Sequence, residues 1–127
     1  MIVLADPTLL AVPGGHATEH LVGLMHWRRV AVRGPSMSPT LADGDVVLVR
    51  FGVQARPADV VLVRWAIRPA QLSVKRAVRL EGAGWWVRGD NPFGSTDSRT
   101  LGPAEVVGVV RGRLWPCPGR IAGPPPL

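Results

Sequence analysis

The sequence predicts a single, mainly β domain built from about six strands. Its length of 127 residues suits one domain and is too short for two independent hydrophobic cores. Short valine-rich runs recur from residue 29 onward. They are continuously apolar or apolar at every second position, which is typical of buried and half-buried strands. Turn-forming Gly, Pro, Asn and Asp residues separate these runs.

Six such runs are predicted to be strands. They cover residues 29–33, 45–50, 59–65, 72–80, 85–88 and 106–114. The second and third runs share the letters Asp-Val-Val-Leu-Val-Arg, and two copies are too few for a repeat architecture. We therefore expect two similar neighbouring strands rather than a solenoid.

Both ends of the chain lack the strand pattern. Residues 1–28 are interrupted by Pro and Gly and can form at most a short amphipathic helix over 19–27, which predicts a helical or irregular N-terminal appendage. The compact domain is predicted over residues 29–116. Residues 117–127 end in Gly-Pro-Pro-Pro-Leu, which cannot continue a central strand because proline lacks an amide donor. We expect a flexible tail there.

Charge and composition limit the possible functions. Lys and Arg together number 15 against 9 Asp and Glu, for a net charge of +6, so nucleic acid, anionic membranes and acidic proteins are all conceivable partners. A single cysteine excludes a disulfide framework. The three histidines are spaced by four and six residues without a clear carboxylate or cysteine companion, so neither a metal nor another cofactor is predicted.

Membrane and export signals are not expected either. No stretch approaches the about 20 apolar residues that a membrane span needs. The first residues also lack the basic region that opens a secretory signal. The sequence therefore predicts a cytoplasmic protein without a transmembrane anchor, for which peripheral contact with a membrane surface stays open.

One serine and one lysine are the best candidates for chemistry. Ser36 lies in a sharp loop after the first predicted strand, where a serine on its own is usually a turn or capping residue. Lys75 is the single lysine beside fourteen arginines, and the period of its strand alone would place it in solvent. No histidine is positioned to activate Ser36, which argues against a Ser/His/Asp triad.

Four blocks, taken in order, resemble a known family. They are Ser36-Met-x-Pro-Thr-Leu41, Gly44-Asp-Val-Val-x-Val49, Lys75-Arg76 and Gly89-Asp-Asn-x3-Ser95-x-Asp97-Ser-Arg99. Their order and spacing are similar to the successive motifs of the type I signal peptidase family of Ser/Lys peptidases, over residues 32–114. The resemblance implies a compact signal peptidase/LexA-type β-fold. It also implies a serine endopeptidase that acts on a precursor protein bound as an extended peptide.

The resemblance implies catalytic roles for individual residues. Ser36 would be the nucleophile and Lys75 the general base, with Ser95 orienting the lysine amine. The backbone amides of Ser36 and Gly34 would bind the oxyanion. Such a base must be shielded from water, because an exposed lysine titrates near ~10.4 whereas a working base titrates near ~7 to 8.

Other residues of the blocks are implied to support this chemistry. The residues expected to hold the site together are Asp90, Asp97, Arg99 and Arg76, with Arg76 as a partner of Asp90. The apolar side chains of Met37 and Val32 are expected to line the substrate groove.

A further segment points to one branch of the family. The run Gly84-Trp-Trp-Val-Arg-Gly-Asp-Asn-Pro-Phe93 is similar to the nickel-type superoxide dismutase maturation proteases, which remove a short N-terminal extension. The resemblance thus predicts a nickel superoxide dismutase precursor as substrate and no nucleic-acid partner. Two alternatives stay open: a basic β domain that binds nucleic acid without catalysis, and a noncatalytic signal peptidase-like interaction domain.

Overall fold

The computed structural model describes residues 2–4, 26–94 and 96–125 of the chain. These residues form one antiparallel sheet and a short helix, α1, at Ser98–Leu101. The strands are β1 at Ile2–Leu4, β2 at Trp27–Val32, β3 at Val46–Phe51, β4 at Val60–Trp65, β5 at Arg68–Glu81, β6 at Gly84–Arg88 and β7 at Glu105–Trp115. Their order across the sheet is β1-β2-β3-β7-β4-β5-β6.

The predicted mainly β fold is confirmed, and each of the six predicted strands corresponds to one strand from β2 to β7. The structure adds β1, which lies within the predicted appendage 1–28 and pairs with β2, Ile2 lying opposite Val32. The appendage prediction is therefore wrong for these three residues, because their backbone extends the sheet. The helix predicted over 19–27 lies largely outside the described residues.

Hydrophobic side chains fill both faces of the sheet at β4. Val60 and Leu62 pack in a first core, whereas Val61 and Val63 pack in a second. This burial on both faces explains the continuous apolar run of β4, because only a strand with one solvated face alternates. The buried residues of the first core are Val30, Val32, Met37, Leu41, Val47, Val49, Val60, Leu62, Val74 and Val110, and those of the second are Val61, Val63, Trp65, Ala77, Val87, Ala104 and Val109.

The strand β7 lies between the two strands of similar sequence. β3 and β4 both pair with β7 and not with each other, so the expectation that they are neighbours is wrong for the sheet. A glycine makes the close approach of β7 and β3 possible. A Cβ atom at Gly108 would lie 2.6 Å from Cγ1 of Val49, which is too close for any larger residue.

The C-terminal segment packs against the domain. Gly119 and Arg113 exchange two backbone hydrogen bonds, of 2.9 and 3.0 Å. Ile121 packs against the first core, and the Ala122 carbonyl accepts a hydrogen bond from Nη2 of Arg76 at 3.1 Å. The prediction of a flexible tail over 117–127 is therefore wrong for Gly119, Ile121 and Ala122, because these residues have backbone or apolar partners in the domain.

Candidate active site

Two aspartates shape the loop between β2 and β3. The Asp43 carboxylate accepts a hydrogen bond from the Gly34 amide at 2.8 Å, and the Asp45 carboxylate accepts one from the Ala42 amide at 3.0 Å. Gly34 has a φ of +82°, a backbone conformation that favours glycine. These contacts hold a sharp turn after β2, and Ser36 lies half-buried within it.

Apolar side chains anchor the same loop in the first core. Met37 and Leu41 are fully buried there, and the Leu41 amide donates to the Met37 carbonyl at 2.9 Å. Val32, at the end of β2, is buried in the same core. The predicted groove role of Met37 and Val32 is therefore wrong, because both side chains face the core and neither lines the neighbouring cleft.

Lys75 lies in the middle of β5 and is buried. Its exposed fraction is 3%, whereas the strand period alone would place it in solvent. Burial lowers the pKa of the Lys75 amine from 10.5 to about 8, because the charged form loses its hydration. Two charges modify this effect in opposite directions: nearby Asp97 raises the pKa and Arg99 lowers it.

Ser36 and Lys75 line the same cleft, which has a volume of about 200 Å³. The loop after β2 contributes one wall, β5 contributes the second, and the loop before α1 contributes the third. The other residues around the cleft are Arg33, Gly34, Pro35, Trp65, Arg68, Gln71, Ser73, Gly94, Thr96 and Leu101. A hydroxyl and a desolvated amine therefore share one water-accessible cleft.

Asp97 organises the loop before α1. It is 1% exposed and is the N-cap of α1, accepting from the Arg99 amide at 3.1 Å. Its carboxylate also accepts from Nε and Nη2 of Arg99, both at 2.9 Å, and from the Gly89 amide at 3.0 Å. The side-chain hydrogen bonds to Asp97, and then its negative charge, raise the pKa of Arg99. The ion pair of Asp97 and Arg99 is present, while its supporting role stays a prediction and Ser95 lies outside the described residues.

Asp90 connects the loop of Ser36 to the strand of Lys75. Nε and Nη2 of Arg76 donate to its two carboxylate oxygens at 3.2 and 2.7 Å, so the predicted pair is present. The Thr40 hydroxyl donates to the same carboxylate. The buried side chains of Arg76 and Asp90 thus join two chain segments that each carry a candidate catalytic residue.

Backbone contacts strengthen that connection. The Asn91 amide donates to the Ser36 carbonyl at 2.9 Å, and Nδ2 of Asn91 donates to the Pro35 carbonyl at 3.0 Å. The sequence blocks predict no role for Asn91, Thr40 or Asp43. Each lies inside or beside one of the sequence blocks, but the block pattern alone does not reveal which polar groups bond to each other.

The Gly34 amide differs from its predicted role. Its N–H donates to Asp43 and so is not directed at an oxyanion in this arrangement. The Ser36 amide is the other predicted backbone donor. Within the described ranges, no three His, Cys, Asp or Glu side chains group in a way that could hold a metal ion. The same ranges contain no helix with the length and hydropathy of a bilayer span.

The described antiparallel β domain thus places a hydroxyl and a buried amine in one cleft. In a comparison with protein families, the Peptidase S24-like family matches residues 26–111. The match covers more than half of the chain. The chain belongs to the Peptidase S24-like family.

Several curated proteases are similar to the chain. It is 36% identical to the mitochondrial ATP-independent inner membrane protease subunit 1a of Arabidopsis thaliana, over 80% of this chain and 76% of the relative. It is 31% identical to the mitochondrial inner membrane protease subunit 1 of Homo sapiens, over 68% of this chain and 69% of the relative. It is also 31% identical to the mitochondrial inner membrane protease subunit 2 of Saccharomyces cerevisiae, over 67% of this chain and 66% of the relative. The predicted resemblance to signal peptidase-like proteases is confirmed at this level.

Proposed function

We propose that this chain is a serine endopeptidase that uses Ser36 and Lys75 to remove a segment from a precursor protein. One observation carries the proposal: the Ser36 and Lys75 side chains line one cleft, in which burial lowers the pKa of the amine to about 8. With that pKa, about a tenth of the molecules hold a neutral amine at pH 7, so a base is available without a histidine.

The proposed reaction has two halves. Oγ of Ser36 attacks the substrate carbonyl carbon while its proton passes to Nζ of Lys75, and the protonated amine then donates to the departing peptide nitrogen. The acyl group is left as an ester on Ser36. In the second half, neutral Lys75 takes a proton from water, the resulting hydroxide attacks the ester, and Oγ recovers a proton as the acid product leaves.

Two further groups assist in this proposal. The Ser36 amide would donate to the oxyanion of each tetrahedral intermediate, since charge develops there and not in the ground state. Because the Gly34 amide is bonded to Asp43, a second donor has to come from another group. Ser95 stays the predicted residue for orienting the Lys75 amine, and Ser95→Ala tests it by its effect on kcat.

The test is turnover of an extended precursor peptide by purified variants. Ser36→Ala and Lys75→Met should each lower kcat at least a thousandfold. Ser38→Ala is the matched control for the serine, since it changes a hydroxyl two residues away in the same loop. Arg64→Met is the control for the loss of a cation, because Arg64 is exposed and lies outside the cleft. Both controls should retain activity.

The chemical step needs its own readout. Rapid quenching of an activated peptide ester should trap an acyl group on Ser36, which mass spectrometry locates. Full activity in Ser36→Ala, or an acyl group on another residue, would contradict the dyad. If Ser38→Ala and Arg64→Met also lost activity, substitutions outside the dyad would be enough to inactivate the domain. The loss in Ser36→Ala and Lys75→Met would then not be evidence for the dyad.

We further propose that the precursor is that of a nickel superoxide dismutase. The support is the resemblance of residues 84–93 to that branch of proteases. Incubation with the purified precursor should release one N-terminal peptide, and sequencing of the new N-terminus identifies the cleaved bond. Cleavage of unrelated precursors together with an intact dismutase precursor would reject this substrate while leaving the peptidase proposal in place.

A location in the cytoplasm, with peripheral membrane contact, is also a proposal. The net charge of +6 supports the membrane contact, because it favours anionic surfaces over neutral ones. Fractionation of cells that produce the full chain should recover it without detergent, and a salt wash should release any membrane-bound part. Release that requires detergent would contradict this location.

A further inference from the structure

We propose that Arg68 determines specificity by binding an acidic side chain of the substrate, about four residues from the scissile bond. This inference rests on the proposed function, because it concerns the same cleft. It adds a substrate requirement that neither Ser36 nor Lys75 explains.

The irregular start of β5 brings Arg68 into the cleft. Leu72 pairs with Arg64, and the next position of the ladder pairs Arg68 with Trp65. Residues 69–71 therefore have no partner in β4, although they belong to β5. As a result, Arg68 follows Leu72 directly in the sheet although four positions separate the two in the chain.

This bulge reverses the face on which Arg68 lies. In an uninterrupted strand, Arg68 and Lys75 would point to opposite faces, because side chains alternate. In the ladder, Arg68 pairs with Trp65, Ser73 with Val63 and Lys75 with Val61. These three partners lie at every second position of β4 and so share one face of the sheet. Arg68, Ser73 and Lys75 therefore share that face too. All three side chains line the cleft.

The bulge also sets the distance along the cleft. Four ladder positions separate Arg68 from Lys75, which corresponds to about 13 Å at roughly 3.3 Å per residue. A substrate bound in an extended conformation advances by the same amount per residue. A side chain about four residues from the scissile bond would therefore lie beside Arg68.

The charge of the cleft selects an acidic group. Arg68 is exposed on its wall and Lys75 lies deeper, while no described residue that lines the cleft is Asp or Glu. Asp43 lies beside the cleft, where its carboxylate is bonded to the Gly34 amide at 2.8 Å. The carboxylate that raises the pKa of Lys75 is that of Asp97, which is buried and bonded by Arg99. The positive charge of Arg68 at the opening of the cleft therefore favours a substrate side chain with a carboxylate over a neutral one.

The hairpin formed by β4 and β5 also offers a matched control. Arg64 lies on β4 next to Trp65, forms an ion pair with Glu105 at 3.1 Å, and does not line the cleft. Arg64→Gln thus removes one exposed cation from the same hairpin without changing the cleft wall.

The experiment compares alanine-rich fluorogenic peptides that carry Glu, Gln or Lys, one at a time, at each of five positions on both sides of the central bond. Wild-type protein should have about two- to fivefold higher kcat/KM for Glu than for Gln near one position, three to five residues from the bond on one side. Arg68→Gln should abolish this ratio, Arg68→Glu should invert it in favour of Lys, and Arg64→Gln should leave it unchanged.

Binding separates this inference from the proposed chemistry. The Ser36→Ala variant should bind the Glu peptide more tightly than the Gln peptide in a fluorescence anisotropy titration, and adding Arg68→Gln should remove the difference. If the wild-type protein cleaved none of the peptides while Ser36→Ala still bound them with this Arg68-dependent preference, the Arg68 site would be upheld and the peptidase rejected. Equal affinity for both peptides, or a preference that survives Arg68→Gln, overturns the inference.

Discussion

The carboxylate of Asp97 raises the pKa of the Lys75 amine, in opposition to the larger effect of burial. Asp97 is itself held by two side-chain hydrogen bonds from Arg99, whose positive charge lowers the same pKa. Three physical effects thus set the proton affinity of one amine. Their signs make the behaviour of the candidate site testable without a known natural substrate.

Activity should increase with pH as Lys75 loses its proton. With the amine's pKa at about 8, kcat/KM should rise about tenfold per pH unit below pH 7 and become constant above pH 9. A rate profile of a peptide substrate from pH 6 to 10 measures this. A profile that is already constant at pH 6 would show that Lys75 is not the base.

Lys75→Met should make the protein more stable at neutral pH. The folded-state pKa of about 8 lies below the ordinary 10.5, so below pH 8 the folded protein carries a buried charge that costs about 3 kcal/mol. This cost disappears as pH rises from 8 to 10.5, because the unfolded state then binds more protons than the folded state. Urea unfolding should therefore show a large gain for the variant at pH 7 and a small one near pH 10.5. A loss of stability at pH 7 would contradict this assignment.

Arg99→Gln should move the activity profile to higher pH. Removing this positive charge takes away an effect that lowers the pKa of Lys75, so the amine should hold its proton more strongly. The value of kcat/KM at the high-pH plateau should stay nearly the same, whereas the pH at the midpoint of the rise should increase. Arg79→Gln is the control, because Arg79 is exposed and paired with Glu81. A midpoint that stays in place or moves to lower pH would contradict the effect of the Arg99 charge on the pKa of Lys75.

Deletion of residues 121–127 should destabilise the domain by about 1 to 3 kcal/mol. The deletion removes the Ile121 side chain from the first core and the Ala122 carbonyl from Arg76. Deletion of residues 124–127 retains both contacts and should have a smaller effect. Urea unfolding of the two variants measures the difference. Equal stability of both would mean that the contacts of residues 121–122 contribute little.

Strand content was predictable because local sequence controls it. Valine-rich runs bounded by turn residues can bury apolar surface on one or both faces as strands, and β2 to β7 follow them closely. The pair of Arg76 and Asp90 also followed from the motif resemblance, since both residues belong to its blocks. In each case the information lies within a short stretch or a recognisable motif.

Other features depend on contacts between distant segments. The sequence period predicted a solvated Lys75, but the loop that carries Gly94 and Thr96 approaches the same cleft and the amine is buried. Met37 appeared to be a groove residue from its place beside Ser36, yet the turn directs it into the core. The bulge at residues 69–71 likewise has no local signal that fixes its effect on Arg68, since only the pairing with β4 reveals it.

The position of β7 between β3 and β4 has a consequence for biosynthesis. The centre of the sheet is filled by the last strand to leave the ribosome, so a nascent chain that ends before Glu105 cannot join its two halves. Ser36 and Lys75 are translated earlier, but the sheet is complete only after β7 has paired with both β3 and β4. A ribosome-bound fragment should therefore lack the continuous sheet until translation of the domain is nearly complete.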